Sequence, residues 1–463
     1  MGIRQAGAER YGPTPFQNDR EAIMDVCVVG LGKIGLPLAV QIATKGHRTR
    51  GADIDDDVVA AVTAGKAPFP GEAELDWRLR EVVDAGHLTA TSDTTGAVEL
   101  SEVVVVVVPL LLDDEHQPDF AAIDAATRDV AAGLQPDTLI SFETTLPVGT
   151  TRGRLAPVLV EASELVLGED LHVCHSPERV SSGRVFADLR TYPKLVGGTD
   201  AVSTERGVEF YGRVLDFDPR EDLDRPNGPW NLGSVEAAEL TKLVETTYRD
   251  VNIALANEFA VLADRQSLNV YDVIEAANSQ PFSHVHRPGI AVGGHCIPVY
   301  PRFYLAGHPD ARLPAAAREV NLSMPAYAVS MLRESLTTLV GRRVAVLGAS
   351  YRGGVKETAF SGVFGVVDEL HSKGATPVVH DPLYTDDEIE ALNLTPYHFG
   401  EPADAAILQA DHEQYRELAP ADLPGIKALV DGRRHVNDDA WSEVPRHVIG
   451  APAPRPSPPT TTA

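Results

Sequence analysis

The segment "DVCVVGLGKIGLPLAVQIATKGHRTRGADID", residues 25–55, restricts the possible folds more than any other part of the chain. It reads as an apolar strand, a glycine-rich hexapeptide, an apolar helix and a second strand. In Gly30-Leu31-Gly32-Lys33-Ile34-Gly35 the first glycine permits a tight turn. The second lets a pyrophosphate approach the backbone, and the third lets helix and strand pack closely. The helix start then turns its partial positive charge toward phosphates. Gly30, Gly32, Lys33, Ile34 and Gly35 are therefore dinucleotide-binding candidates. Asp53, closing the second strand, would accept hydrogen bonds from ribose hydroxyls and repel a 2′-phosphate. That points to NAD, although Arg48 and Arg50 pull the other way; the alternative for Asp53 is a turn residue. "VVVVVVP" (103–109) reads as a fully buried parallel strand, with Val108 and Pro109 at its cofactor-facing end.

A similar layout returns at "RRVAVLGASYRGGVKETAFSGVFGVVDELHSKGATPVVHDP" (342–382). Gly348 and Gly353 are present but there is no GxG, so a second dinucleotide is not expected. Its helix start would suit the diphosphate of a substrate, with Tyr351 and Arg352 as contacts; the alternative is a purely structural domain. Between the two repeats, "EAAELTKLVETTYRDVNIALANEFAVLADRQ" (236–266) has no Gly or Pro, so the spacing predicts a long helix. Leu240, Val244, Tyr248, Val251, Leu255, Phe259 and Leu262 fall on one stripe. Glu239, Lys242, Thr246 and Arg249 fall opposite, on a face that is either solvated or lines a cleft.

The expected fold class is α/β, with two doubly wound Rossmann-like domains joined by a long central helix. The expected organisation is a disordered tail at 1–22 and an NAD-binding domain at 23–215. A linker and central helical region follows at 216–335, opened by the Pro-rich "DFDPREDLDRPNGPW". A second Rossmann-like domain spans 336–450, and a second tail 451–463.

A net charge of −27 would repel a nucleic-acid backbone. No apolar run approaches the ~20 residues of a membrane helix, and the start has no apolar secretory core. Three widely spaced cysteines, Cys27, Cys174 and Cys296, argue against a disulfide framework and for a reducing, cytoplasmic setting. Cys27 and Cys174 lie in strand-like apolar runs and read as core. Cys296 sits in "VGGHCIPVYP", where Gly293 and Gly294 let backbone N–H groups approach a substrate. It is either a buried filler or a nucleophile.

Seven segments, in order, resemble the nucleotide-sugar 6-dehydrogenases of the UDP-glucose/GDP-mannose dehydrogenase family: "GLGKIGLPLA", "TTLPVGTT", "SPERVSSG", "KLVGG", "AAELTKLVETTYRDVNIALANE", "GIAVGGHCIP" and "VAVLGASYRGG…DP". They cover roughly residues 25 to 382. The resemblance implies an NAD domain, a central helix at a homodimer interface, and a sugar-nucleotide domain. It also implies oxidation of a sugar C6 alcohol to a carboxylate with two NAD and no metal. Cys296 would then be the nucleophile that converts an aldehyde into an oxidisable thiohemiacetal. Lys242 would hydrogen-bond the developing C6 oxyanion. Glu178 would act as acid or base or position the hydrolytic water, and Thr145, at the cofactor, would hold that water. Glu178, Arg179, Lys242, Thr246, Arg287, Gly293, Gly294, Tyr300, Tyr351 and Arg352 are the substrate-side candidates, with Arg287 proposed at a phosphate.

The chain also departs from the family pattern. Tyr300 stands where an Asp is usual, and a phenol with pKa of about 10 is a poor base. No acid–base role is therefore expected of Tyr300, and Tyr300→Phe should keep substantial activity. A water held by Thr145 and Lys242, with Glu178 as final proton acceptor, replaces the Asp in this reading. Thr246 replaces an Asn, Leu110-Leu111 replace Thr-Pro, and Ala359 replaces an arginine. "GGHCIP" most resembles the branch acting on UDP-N-acetylhexosamines; UDP-glucose and dTDP-glucose stay open. Two other readings remain: a single two-electron hydroxyacid-type dehydrogenase, and a non-catalytic nucleotide sensor or scaffold.

Overall fold

A computed structural model describes residues 23–452. The expected tails, 1–22 and 451–463, lie outside the described residues apart from Ala451 and Pro452. Of these, Ala451 pairs with Val448 in an isolated bridge. The chain divides into two compact units. One holds the residues up to Pro109, with Ala121–Thr144 and Gly149–Ala238. The other holds Leu110–Phe120, Thr145–Val148 and everything from Glu239 onward.

The first unit is built on an eight-stranded sheet. Its strands are β1 (Asp25–Val29), β2 (Arg48–Ala52), β3 (Leu88–Thr91) and β4 (Val103–Val106). After a short antiparallel ribbon, β5 (Leu111–Leu112) with β6 (Pro118–Asp119), which belongs to the second unit, it continues. The remaining strands are β7 (Thr138–Phe142), β8 (Leu171–His175), β9 (Lys194–Gly198) and β10 (Pro229–Asn231). The order is β10-β9-β8-β7-β4-β1-β2-β3. Pairing is parallel except between β8 and β9. β1 lies between β2 and β4, so crossovers leave it on both sides and the switch point falls at its carboxyl end.

Helices cover both faces, which explains why β4 and β7 are buried along their whole length rather than alternating. The strand expected over 103–109 is shorter than predicted. It ends at Val106; Val107 and Val108 are half-buried and Pro109 is exposed. Val107 N still donates to Val29 O at 2.8 Å, but Pro109 has no N–H to carry the ladder further and biases Val108 away from it.

The second unit carries the all-parallel sheet β12-β11-β13-β14-β15. Its strands are β11 (Arg343–Leu347), β12 (Thr376–His380), β13 (Ala405–Leu408), β14 (Leu429–Asp431) and β15 (Arg446–Val448). Alternation sorts its residues. Val344, Val346, Ile407 and Val430 join one core with Met324 and Leu332 of the helix Arg312–Ser335. Ala345, Leu347, Ala406 and Leu408 join another with Tyr397, Tyr415 and Trp441.

The central helix runs over Val235–Gln266. Of the two readings left open for its polar face, the solvated one fails: that face is turned inward and the apolar stripe outward. Leu240, Val244, Tyr248, Leu255, Phe259 and Leu262 are exposed, with Val244 at 53% and Leu262 at 56%. Glu239, Lys242 and Thr246 are buried, while Arg249 is exposed. The buried side is polar because it is cross-linked. Asp250 pairs with Arg318 of the helix Arg312–Ser335, with Arg318 Nε 2.7 Å from Asp250 Oδ2. Asn321 Nδ2 donates to Asp250 Oδ1 at 2.8 Å, and Asn257 Nδ2 donates to Asn321 Oδ1 at 2.9 Å. Buried polar groups are tolerated when each finds such a partner.

Candidate active site

The glycine motif explains itself in the first unit. Gly30 has φ +93°, and a Cβ there would sit 3.1 Å from Val107 O. A Cβ at Gly35 would fall 1.9 Å from Gly30 O, so only glycine closes this turn onto the helix Gly35–Thr44. At Gly32 a Cβ would meet nothing within 4 Å, leaving the open face that a pyrophosphate requires. Lys33 is exposed and Ile34 half-buried at the same turn. Asp53 braces the loop: its Oδ2 accepts from Leu31 N at 2.7 Å and its Oδ1 from Asp55 N at 3.0 Å. A carboxylate has about four lone-pair positions, so capacity for ribose hydroxyls remains. Thr144 Oγ1 donates to Val108 O at 2.6 Å and fixes the loop after β4. These residues fit a dinucleotide.

Glu178 also lies in the first unit, in a buried charge cluster that sequence reasoning did not foresee. Lys194 Nζ donates to Glu178 Oε2 at 3.0 Å and to Glu143 Oε2 at 2.9 Å. Tyr211 donates its hydroxyl to Glu143 Oε1 at 2.6 Å, and Glu178 Oε1 accepts from Arg179 N at 2.5 Å and Val180 N at 3.0 Å. Burial pushes the Glu178 carboxyl up, but the Lys194 charge and these hydrogen bonds override it and hold it below the ordinary range. Glu143 goes the other way: full burial, only partly offset by Lys194, lifts it to about 7. Glu178 is thus an ionised acceptor rather than a stored proton. The lysine was visible in "KLVGG", but nothing in its spacing announced that it would be buried between two carboxylates. Arg179 donates through Nη1 to Pro193 O at 3.2 Å, a structural bond.

The second unit brings together Thr145, Lys242, Cys296 and Tyr300. Cys296 is half-buried and Tyr300 N donates to Cys296 O at 2.9 Å, so the two side chains stand one turn apart. Thr145 and the Cys296 sulfur neighbour the Tyr300 hydroxyl, and burial first, with the sulfur second, pushes the phenol above its ordinary pKa. Lys242 Nζ lies 5.9 Å from the centre of the Tyr300 ring. Thr246 turns its hydroxyl back to the carbonyl of Lys242 at 2.9 Å, which spends its only donor within the helix and weakens it as a substrate contact.

The cysteine loop is laid across the carboxyl ends of the second sheet. Ile290 N donates to Gly432 O at 3.2 Å and Gly294 N to Ala359 O at 2.8 Å. Gly289 N donates to Asn257 Oδ1 at 2.9 Å, which ties the loop to the polar network of the central helix. Gly294 has φ +88°, and a Cβ at Gly293 would sit 2.5 Å from Tyr351 Cβ. Both glycines are therefore needed for packing against Tyr351. Arg352 is exposed and its Nε donates to Tyr351 Oη at 3.2 Å; Arg287 is exposed. Arg433, missed in the sequence, holds this corner from behind, donating to Gln409 O at 2.6 Å and Tyr351 O at 3.0 Å.

A cavity of about 540 Å³ opens elsewhere, at the amino ends of β1, β4 and β7, lined by Met24, Glu102, Asp137, Arg206 and Arg213. Parallel sheets bind ligands at carboxyl ends, so this cavity is not the reaction site. Among the described residues no group of three or more His, Cys, Asp or Glu side chains is placed to hold a metal ion. No helix among them is long and apolar enough to cross a membrane.

Three family models match the chain: the NAD binding domain of the UDP-glucose/GDP-mannose dehydrogenase family over residues 24–215, its central domain over 236–323, and its UDP binding domain over 345–438. The chain belongs to that family. It is an NAD-dependent nucleotide-sugar dehydrogenase. Among its relatives, the UDP-N-acetyl-D-mannosamine dehydrogenase of Pyrococcus horikoshii is 34% identical over 427 residues, covering 90% of this chain and 96% of the relative. An NDP-N-acetyl-D-galactosaminuronic acid dehydrogenase of Ralstonia solanacearum is 31% identical, covering 88% and 95%. The solved UDP-D-ManNAc dehydrogenase of Pyrococcus horikoshii superposes with a TM-score of 0.81 at 32% identity, covering 92% of this chain and 99% of that one. The UDP-N-acetyl-mannosamine dehydrogenase of Staphylococcus aureus gives 0.78 at 28%, covering 92% and 98%.

Proposed function

We propose that the protein oxidises the C6 hydroxyl of a nucleoside-diphosphate hexose by four electrons to the uronic acid, through a covalent intermediate on Cys296. The gathering of Cys296, Tyr300, Thr145 and Lys242 in one corner of the second unit carries this reading. UDP-N-acetylhexosamines lead the candidate substrates, supported by the names of the relatives; UDP-glucose and dTDP-glucose follow.

NAD held at the glycine loop and Asp53 supplies a hydride acceptor for each of the two oxidation steps. The residues of the chain manage the rest. Lys242, buried beside Tyr300, hydrogen-bonds the C6 oxygen as its proton leaves to a water held by Thr145 and Lys242, with Glu178 as final acceptor. After the first hydride leaves, the aldehyde carbon has no electron pair to give up until a nucleophile adds. The Cys296 sulfur forms the C–S bond, the carbonyl π pair moves to oxygen, and the thiohemiacetal can lose a second hydride and a proton to become a thioester. Water then breaks the C–S bond, giving the carboxylate and the free sulfur. Thr145 positions that water, and Glu178, kept ionised by Lys194, accepts a proton. Tyr351 and Arg352 face the nucleotide end of the substrate. The apolar stripe on the central helix is covered by a second copy of the chain, giving at least a homodimer in a cytoplasmic setting.

The test is a nucleotide-sugar panel with NAD, followed by NADH absorbance and mass spectrometry. The productive sugar should yield two NADH and a uronate. Cys296→Ala should lower uronate formation by more than about a thousandfold while still binding NAD. One NADH per sugar with no effect of Cys296→Ala would instead establish a two-electron dehydrogenase, and binding without any NADH a sensor.

A further inference from the structure

We infer that Glu143 is a buried proton store for Glu178: a proton taken up by Glu178 during turnover passes through Lys194 to the Glu143 carboxylate. The inference rests on the reading of Glu178 as a proton acceptor and goes beyond it, because it says where that proton is kept.

Geometry and the count of charges carry the argument. Lys194, the first residue of β9, sets one ammonium between two carboxylates, 2.9 Å from Glu143 Oε2 and 3.0 Å from Glu178 Oε2. One positive charge cannot balance two negative ones out of water, so the trio holds a proton at lower cost than a surplus charge. The side chains of Glu143, Lys194 and Glu178 are 0%, 6% and 12% exposed, so the proton rests deepest at Glu143 and meets the outside through Glu178. On its far side Glu143 Oε1 lies 2.6 Å from the Tyr211 hydroxyl, which lies 2.7 Å from Ser141 Oγ. With Glu143 ionised, Ser141 donates to Tyr211 and Tyr211 to the carboxylate. With Glu143 protonated, the acid donates to Tyr211 and Tyr211 to Ser141. Both states keep the same two bonds, so uptake of the proton strands no buried group.

The transfer conserves charge. Protonated Glu178 gives its hydrogen to Lys194 as an ammonium hydrogen of Lys194 moves to Glu143. Glu178 is then a carboxylate again, Lys194 still an ammonium, and Glu143 a carboxylic acid. The other titratable groups around Glu143 hold their state through neutrality. Burial disfavours the charges of Lys194 and Glu178, yet their pairing overrides it, raising the one pKa and lowering the other. Burial pushes Cys174 of β8 to about 12 and Tyr211 of the helix Ala201–Val214 well above its ordinary value. It lowers His175, next to Cys174, to about 3. Glu143, lifted to about 7 chiefly by burial, is the member that changes state near neutrality.

The test follows uronate formation across pH and, separately, the carboxyl infrared bands of the full-length protein. Wild-type kcat should fall about tenfold per pH unit below a midpoint near pH 7, where Glu143 is already filled. Glu143→Gln, neutral and of the same shape, should flatten that acidic limb at a rate about tenfold below the wild-type maximum. That is less than the hundredfold or so supplied by a group acting on the reacting atoms. Tyr211→Phe withdraws a donor that favours the ionised carboxylate, so it should move the midpoint upward; it also serves if the glutamine variant does not fold. In the infrared, a carboxylic-acid band should titrate near pH 7 in wild type and be missing from Glu143→Gln. An acidic limb with the same midpoint in either variant as in wild type, or a band that survives Glu143→Gln, would overturn the inference. Failure of the Glu178 reading is separable: Glu178→Gln would then make uronate at the wild-type rate although the band still titrates.

Discussion

At the scale of single residues, His175 offers a clean pH experiment. It ends β8, is fully buried, and neither ring nitrogen has a hydrogen-bond partner. Burial, and secondarily the charge of Lys194, lower its pKa from 6.5 to about 3. Between those values the unfolded chain takes up a proton that the folded chain refuses, so stability falls as pH drops through the window. Glu143 acts in the opposite sense: raised from 4.5 to about 7, it favours the fold when protonated and less as pH rises through that interval. His175→Phe should therefore flatten the decline of the thermal midpoint between pH 6.5 and 5, with Glu143 common to both proteins. Equal slopes would reject the assignment. The residues legible in the sequence were those whose spacing has a mechanical meaning, Gly30, Gly32 and Gly35 above all. Lys194, Glu143, Arg433 and the Asp250–Arg318 pair were not, because burial of a charge depends on partners distant along the chain, such as Glu143 51 residues from Lys194.

Among elements, the central helix is the most instructive. Its periodicity was readable and its extent nearly so, yet which side faces inward was not. A helical pattern reports two faces but not which one meets the rest of its own chain. Polar Glu239, Lys242, Thr246 and Asp250 turned inward because the helix Arg312–Ser335 and the cysteine loop supply partners, while the apolar stripe was left for another surface. Phe259→Arg, placing a charge on that stripe, should convert the proposed dimer to monomers by sedimentation velocity with little change in the secondary structure of each chain. A variant that still sediments as wild type would place the interface elsewhere. The strand ending at Val106 shows the opposite error. An unbroken valine run looks like one long strand, but Pro109 and the bond from Thr144 to Val108 O end it early.

For the whole molecule, the two sheets were anticipated from the two βαβ openings, and the three family models confirm the class. The grouping of 110–120 and 145–148 with the second unit could not be read from linear order, because the chain leaves the first unit and returns twice. A last consequence follows from where the thiols lie. Cys27 in β1 and Cys174 in β8 have no solvent exposure, and burial lifts each to about 12; only Cys296 is within reach of a reagent. Titration with a disulfide dye should count one equivalent in the native protein and three in denaturant. The two latecomers both belong to the first sheet, so the pace at which they appear clocks the opening of that half. The molecule thus carries its own stopwatch for one half of its unfolding and needs no added label.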